Sequence, residues 1–275
     1  MVNLLQLHNL NQNVHVEYNR PVELVVFDLA GTLVDGPADM SEQYPKDDGL
    51  GVKVPVIAFD EVLSEYGINL SWDRIRIPMG FDKKTHLREL LTMTDVSQQF
   101  ESAHDREWTD TDVEKMYDHL RDTLAETVVR EGLSDVIDGV LPTLAKLKRQ
   151  GKKLAITTGY GTEAAKALLE SLQMRQGVTF DATTHSDAVP NGRPRPWMVY
   201  EVMKSLDIYP PAGVVKVGDT VKDIDEGNNA GAWTVGVYET GNDDFESLRN
   251  AGADFLIPSV GELPSVISQI ENQNI

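Results

Sequence analysis

The chain has 275 residues and no cysteine, which excludes disulfides, thiolate nucleophiles and cysteine-held metals and fits a reducing compartment. It has no run of about 18 apolar residues, so no segment is expected to span a membrane. The first twenty residues mix Leu with Asn, Gln and His. They lack the basic stretch and continuous apolar stretch of a secretory leader, and the expected location is cytoplasmic. Positive charge is scarce: 25 Lys and Arg against 44 Asp and Glu give a formal net charge of −19. A field of that sign repels nucleic acid and anionic membranes, and neither is expected as a partner. It also repels a phosphorylated small molecule at long range. A phosphate site here has to be made positive locally, by a metal, an Arg, a Lys and backbone amides.

What is present points to an α/β fold. A hydrophobic content of 41% suffices for one large α/β domain and a smaller one. Val22–Phe27 is a short β-branched apolar run of the kind that forms a fully buried strand. Similar runs recur at Lys153–Thr157, Val214–Val217, Thr234–Val237 and Asp254–Ile257, separated by helical patterns such as Thr162–Leu172. This alternation predicts a Rossmann-like, doubly wound parallel sheet, which binds ligands at the carboxyl ends of its strands.

The alternation breaks between Asp35 and about Ser134, where Pro55–Tyr66, Asp82–Met93, Val96–Trp108 and Thr111–Arg130 all read as helices and nothing reads as a strand. Asp110 or Thr111 is the expected N-cap of the last. The predicted organisation is an N-terminal extension (1–21), a catalytic core (22–36 and 135–275) and an inserted all-helical cap domain (37–134). The cap opens with a Pro-, Gly- and charge-rich loop at 37–50.

The first strand runs into Asp28-Leu29-Ala30-Gly31-Thr32-Leu33-Val34-Asp35. An Asp at a strand tip, followed by a Gly turn, presents a carboxylate able to attack phosphorus beside free amides able to hold phosphoryl oxygens. A helix-capping Asp with a tight turn is the other reading of the same residues. Thr158-Gly159 follows the second strand, with a hydroxyl and an amide suited to phosphate. Arg193, in Gly192-Arg193-Pro194-Arg195-Pro196-Trp197, offers a forked donor. Asp219, with Asp223 four residues on, closes another strand with paired carboxylates. Magnesium takes a few hard oxygen ligands, and Asp28, the Ala30 carbonyl and Asp219, supported by Asp223, would supply them.

The four segments FDLAGT, TTG, GRPRPW and VGDTVKD, in that order, resemble those of the haloacid dehalogenase-like superfamily over nearly the whole chain. The resemblance implies an aspartyl-phosphate intermediate on Asp28, magnesium as cofactor and a mobile cap over the core. Ordinary phosphatases of the superfamily carry a second Asp two residues after the nucleophile, which protonates the leaving alkoxide; here that position is Ala30.

Within the superfamily, the stretch Ile77-Pro78-Met79-Gly80-Phe81-Asp82-Lys83-Lys84-Thr85-His86 is similar to the segment of the phosphonoacetaldehyde hydrolase family that carries its Schiff-base lysine. There a Met-Gly pair precedes the lysine and a His follows it by three, and Ala stands at the Ala30 position. The match implies Lys83 as that lysine, with Met79 and His86 beside it. Further likeness lies in Thr157–Tyr160, Gly192–Met198, Lys216–Asp219, Asn229–Gly231 and Trp233–Val237.

The implied reaction is hydrolysis of a carbon–phosphorus bond in a small-molecule phosphonate. The implied assembly is a homodimer joined through the caps. Expelling a carbanion from phosphorus requires an electron sink, which an iminium on a neutral lysine provides. The ordinary readings stay open beside these: a solvated Lys83, a surface His86, a Met79 in the cap core, and Tyr160 and Trp197 as packing residues.

The chain departs from the family near the substrate entrance. The loop at about 37–50 is extra, Val52 replaces a frequent Cys, Leu29 replaces a frequent aromatic, and residues before Val22 have no counterpart. A hydrolase of a related phosphonate aldehyde, a weak phosphomonoesterase and a non-catalytic phosphate-binding regulatory protein are the competing expectations.

Overall fold

The runs of β-branched and apolar residues fold as strands of one parallel sheet. The computed structural model describes residues 21–35, 40–47, 49–131 and 136–273. The strands are β1 (Leu24–Phe27), β2 (Lys153–Thr158), β3 (Ala182–His185), β4 (Val214–Gly218), β5 (Trp233–Val237) and β6 (Phe255–Ile257), in the order β3-β2-β1-β4-β5-β6. Every neighbouring pair is parallel. β1 and β4 are buried throughout, as a sheet covered on both faces requires.

The winding direction reverses between β1 and β4, where Phe27 pairs with Val217. The crevice outside such a reversal is where doubly wound sheets bind ligands, and both strands deliver carboxylates into it. Helices α6 (Val140–Arg149), α7 (Thr162–Gln176), α8 (Trp197–Ser205), α9 (Val221–Ala230), α10 (Phe245–Asn250) and α11 (Leu263–Gln273) make the crossovers and the final layer. α6 shows the sequence logic: Val140, Thr143, Leu144 and Leu147 are buried at helical spacing, while Lys146, Lys148 and Arg149 crowd its C-terminal turn, where cations suit the helix dipole.

Between β1 and β2 stands the helical cap: α1 (Val54–Glu65), α2 (Trp72–Arg76), α3 (Lys83–Thr92), α4 (Thr94–His104) and α5 (Asp110–Glu131). Its core is built from Phe59 and Leu63 of α1, Trp72 and Ile75 of α2, Leu87 and Leu91 of α3, Phe100 of α4, and Val113, Met116, Leu120 and Leu124 of α5, all buried. Each large apolar side chain so buried contributes about 1.5–3 kcal/mol. The chain enters and leaves the cap side by side, since Val34 and Val136 form an antiparallel bridge and the Ile137 amide donates to the Leu33 carbonyl at 2.9 Å. The expected extension lies outside the described residues except for Pro21. So do the expected domain junctions at 36/37 and 134/135, and residues 37–39 and 48 of the entry loop.

Three differences between local expectation and structure have a clear physical cause. α5 begins at Asp110, so neither Asp110 nor Thr111 precedes it; the Thr109 amide and hydroxyl instead bond Asp112 Oδ2 at 2.9 and 2.7 Å. α4 stops at His104 rather than Trp108 because Asp105 turns left-handed, with φ of 54°. β3 escaped the apolar-run criterion because Ala-Thr-Thr-His at the sheet edge is only partly buried.

Candidate active site

Asp28 follows β1 at the reversal point and is buried, its amide bonded to the Val217 carbonyl of β4. The turn after it depends on Gly31, whose φ is +84° and where a Cβ would stand 2.4 Å from Asp219 Oδ2. Only glycine allows both the backbone conformation and that approach. Asp219 accepts from Thr32 Oγ1 at 3.0 Å, from the Asn242 amide at 2.9 Å and from Asn242 Nδ2 at 3.0 Å. Asp223 belongs to the first turn of α9, where Thr220 and Asp223 bond each other reciprocally as a capping box.

Asp28, Asp219 and Asp223 offer carboxylate oxygens that all lie within 4.8 Å of one another. Burial, reinforced by the charges of Asp28 and Asp223, pushes the Asp219 carboxyl well above its ordinary range. Crowding of buried like charges around a pre-bonded carboxylate fits a hard divalent cation, which would neutralise the set. Ala30 lines the same cavity as Asp28, so the position two residues after Asp28 brings no acid of its own.

Arg193, expected to neutralise phosphate, is buried and bonded to protein acceptors. Its Nη2 donates to Asp28 Oδ1 and to the Thr157 carbonyl, each at 2.7 Å. Nη1 lies 3.1 Å from Asp223 Oδ1, and Nε donates to Glu226 Oε2 at 3.1 Å. Lys216, fully buried in β4, lies 2.8 Å from Asp223 Oδ1 and 3.0 Å from Thr157 Oγ1. Burial opposes ionisation of Asp223, but Arg193 and Lys216 overcome it and hold this carboxyl below its usual value. Lys216 and Glu226 were not identified as site residues from the sequence. A lysine inside the apolar run Val214–Val217 is a signal for the first; Glu226 sits in a polar helix and gives none.

Thr158 and Gly159 close β2 and line the cavity. The Phe81 carbonyl of the cap stands over Gly159, where a Cβ would approach it to 3.0 Å. Gly80, with φ of +91°, rests on the core, and a Cβ there would meet Thr220 Oγ1 at 2.5 Å. The Met79–Asp82 turn is thus seated directly on the strand ends.

That turn delivers Lys83, the first residue of α3, into the cavity. Lys83 is only 6% exposed. Its Nζ lies 3.8 Å from Met79 Sδ and 5.1 Å from the centre of the Tyr160 ring. Burial lowers this amine to about 8, against the attraction of Asp28 and with help from Arg193. Lys84 points elsewhere, into a partly exposed ion pair with Glu114. Met79 and Tyr160 both line the cavity, and Trp197 lies on the surface, 45% exposed.

His86 is buried, not on the surface. It stacks on Phe59 at 4.0 Å, and its Nε2 lies 2.8 Å from the Ile75 carbonyl. Burial and the nearby Lys83 charge depress its pKa, so the ring is neutral and donates from Nε2. It ties α3 to α2 and lies outside the cavity lining.

The model of the haloacid dehalogenase-like hydrolases matches residues 22–231. A phosphonoacetaldehyde hydrolase of Bacteroides fragilis is 34% identical, covering 92% of this chain and 98% of its own. One from Syntrophobacter fumaroxidans is 33% identical, covering 93% and 94%. The crystal structure of a phosphonoacetaldehyde hydrolase-like protein from Oleispira antarctica superposes with a TM-score of 0.83 at 30% identity, covering 93% of this chain and 95% of that one. The chain belongs to the haloacid dehalogenase-like hydrolases and groups with the phosphonoacetaldehyde hydrolases among them.

Proposed function

We propose that this protein hydrolyses phosphonoacetaldehyde to acetaldehyde and phosphate, through a Schiff base on Lys83 and an aspartyl phosphate on Asp28. The observation that carries the reading is a buried amine, depressed to about 8, sharing one cavity with Asp28 and Ala30. In this reading residues 22–36 and 135–275 form the catalytic core and 37–134 the cap. The Val34–Val136 bridge at the crossing supports that division.

The neutral Lys83 amine adds to the aldehyde carbon, and loss of one water gives the imine. Protonation at nitrogen turns it into an electron sink. Asp28 attacks phosphorus, the carbon–phosphorus bond breaks, and its electron pair moves into the iminium to give an enamine. One water then cleaves the aspartyl phosphate. The enamine takes a proton at carbon, and a second water hydrolyses the resulting imine, freeing acetaldehyde and Lys83. Net consumption is one water.

Thr158, Gly159, Gly31 and Arg193 hold the phosphoryl oxygens in this scheme, while Met79 and Tyr160 exclude water from the amine. Alanine at position 30 leaves room for Lys83 and no carboxylate to lock it as an ammonium. Asp28, the Ala30 carbonyl and Asp219, with Asp223 in support, would hold magnesium, which would supply charge neutralisation at the site. Kinship with the phosphonoacetaldehyde hydrolases is the support for a homodimer joined through the caps.

The test is acetaldehyde release with magnesium by wild type, Lys83→Ala and Lys84→Ala, together with borohydride trapping of the imine. Wild type and Lys84→Ala turn over and trap substrate; Lys83→Ala loses at least about 10³-fold in rate, as befits a covalent catalyst. Near-normal Lys83→Ala activity removes the imine from this residue. A wild type that cleaves p-nitrophenyl phosphate faster than the phosphonate would make it a phosphomonoesterase instead.

A further inference from the structure

The segment before α1 carries a buried charge pair that none of these steps uses. Lys53 Nζ donates to Asp47 Oδ1 at 2.7 Å and to the Leu50 carbonyl at 2.9 Å, and both side chains of the pair are shut off from solvent. Asp47 accepts as well from the Met40 amide at 2.8 Å and the Gly49 amide at 3.0 Å. The Lys53 backbone amide donates to Asp35 Oδ1 at 3.0 Å. Side chain and backbone of Lys53 are therefore fixed from two directions. A buried pair of this kind holds while both partners are present and is strongly disrupted by loss of either.

Lys53 is bracketed by two residues of the cavity. Val52, 1% exposed, precedes it and Pro55 follows it by two, and both line the space around Lys83. They share its apolar lining with Ala30, Met79, Phe81 and Tyr160, while Asp28, Thr158 and Arg193 belong to the polar one. On the reading above, the polar side takes the phosphonate and Lys83 takes the carbonyl carbon. The carbon between them then faces the apolar wall.

We propose that the Asp47–Lys53 ion pair is a specificity device, pinning Val52 and Pro55 as a rigid wall that restricts the substrate to an aldehyde unbranched at the phosphorus-bearing carbon. Asp47 and Lys53 are positioning residues; Val52 sets the limit itself. This inference rests on the carbon–phosphorus hydrolase reading.

The experiment compares kcat/KM for phosphonoacetaldehyde with that for its homologue methylated on the phosphorus-bearing carbon. Wild type favours the unbranched aldehyde by about 10–200-fold, the range one methyl group commands in an apolar pocket. Asp47→Ala reduces that ratio at least about fivefold, mainly by lowering KM for the branched substrate, and Val52→Ala relaxes it in the same direction. Lys46→Ala, in the same loop but in a partly exposed pair with Asp60, keeps the wild-type ratio. Should Asp47→Ala fail to fold, Asp47→Asn keeps the side-chain shape and one acceptor oxygen while removing the charge and the second acceptor. Folded Asp47 variants with wild-type discrimination overturn the inference and leave the hydrolase reading intact. A wild type inert toward both aldehydes overturns both.

Discussion

An ammonium group moved from water to the position of Lys83 loses hydration that Asp28 only partly replaces, so the amine gives up its proton near pH 8. The unfolded chain holds that proton up to the ordinary lysine value of 10.5. Between those values the unfolded state binds more protons than the folded one, and stability rises with pH across the window. Below pH 8 the full penalty applies, up to about 3 kcal/mol for a shift of this size. Lys83→Met is therefore expected to stabilise the protein at pH 7, with the gain shrinking toward pH 10; urea unfolding at both values measures it. On the proposed mechanism, acetaldehyde formation by wild type is expected to rise with pH through the same group, because the free amine would be the attacking species. Asp28, Ala30, Lys83 and Asp219 were legible in the sequence because each sits in a motif with its own spacing. Lys216 and Glu226 were not, since their role exists only where β4 and α9 meet Arg193 in space. Nor did sequence show that His86 is buried against Phe59: a histidine three positions from a lysine reads alike on either face of a helix.

Among the elements, the Met79–Asp82 turn seats the cap on the strand ends, and it tolerates no side chain at position 80. Gly80→Ala meets both an unfavourable φ of +91° and the Thr220 hydroxyl. The expected result is a folded protein with kcat/KM reduced at least about tenfold, about 1.4 kcal/mol in transition-state terms, because Lys83 is no longer held over Asp28. Steady-state kinetics alongside a thermal melt separate this from unfolding. The cap helices were legible from apolar spacing and the strands from β-branched runs. α2 was not: five residues, Trp72–Arg76, are too few to show a period. The pairing of Asp47 with Lys53 was invisible for another reason. A charge-rich stretch reads as a solvated loop, and only the fold shows that it closes on a buried lysine.

Across the whole molecule, a net charge of −19 would oppose arrival of the dianionic phosphonate that the proposed function requires. Salt shortens the reach of that field, from about 30 Å at 0.01 M to about 8 Å at 0.15 M. The expected outcome is that kcat/KM rises several-fold over this range of NaCl at fixed magnesium, while kcat changes little. A fall would mean that the local cations steer the substrate instead. Fold class and cap insertion were both readable from the alternation of strand and helix and its interruption. The register that brings Phe27 against Val217 was not, because strand order in a doubly wound sheet is set by crossover packing rather than by any one segment.

That register also orders events in time. Thr32 and Asp219 are hydrogen-bonded across 187 positions of chain, and Arg193 joins Asp28 across 165. In the order of synthesis Asp28 comes first, and its guanidinium partner Arg193 and the acidic Asp219 and Asp223 follow only after the whole cap has been made. A copy terminated before β4 would therefore carry Asp28 without the groups that the proposed mechanism requires. On that mechanism chemistry would begin only after β4 has docked beside β1, and such a truncated product is expected to be silent rather than a leaky hydrolase.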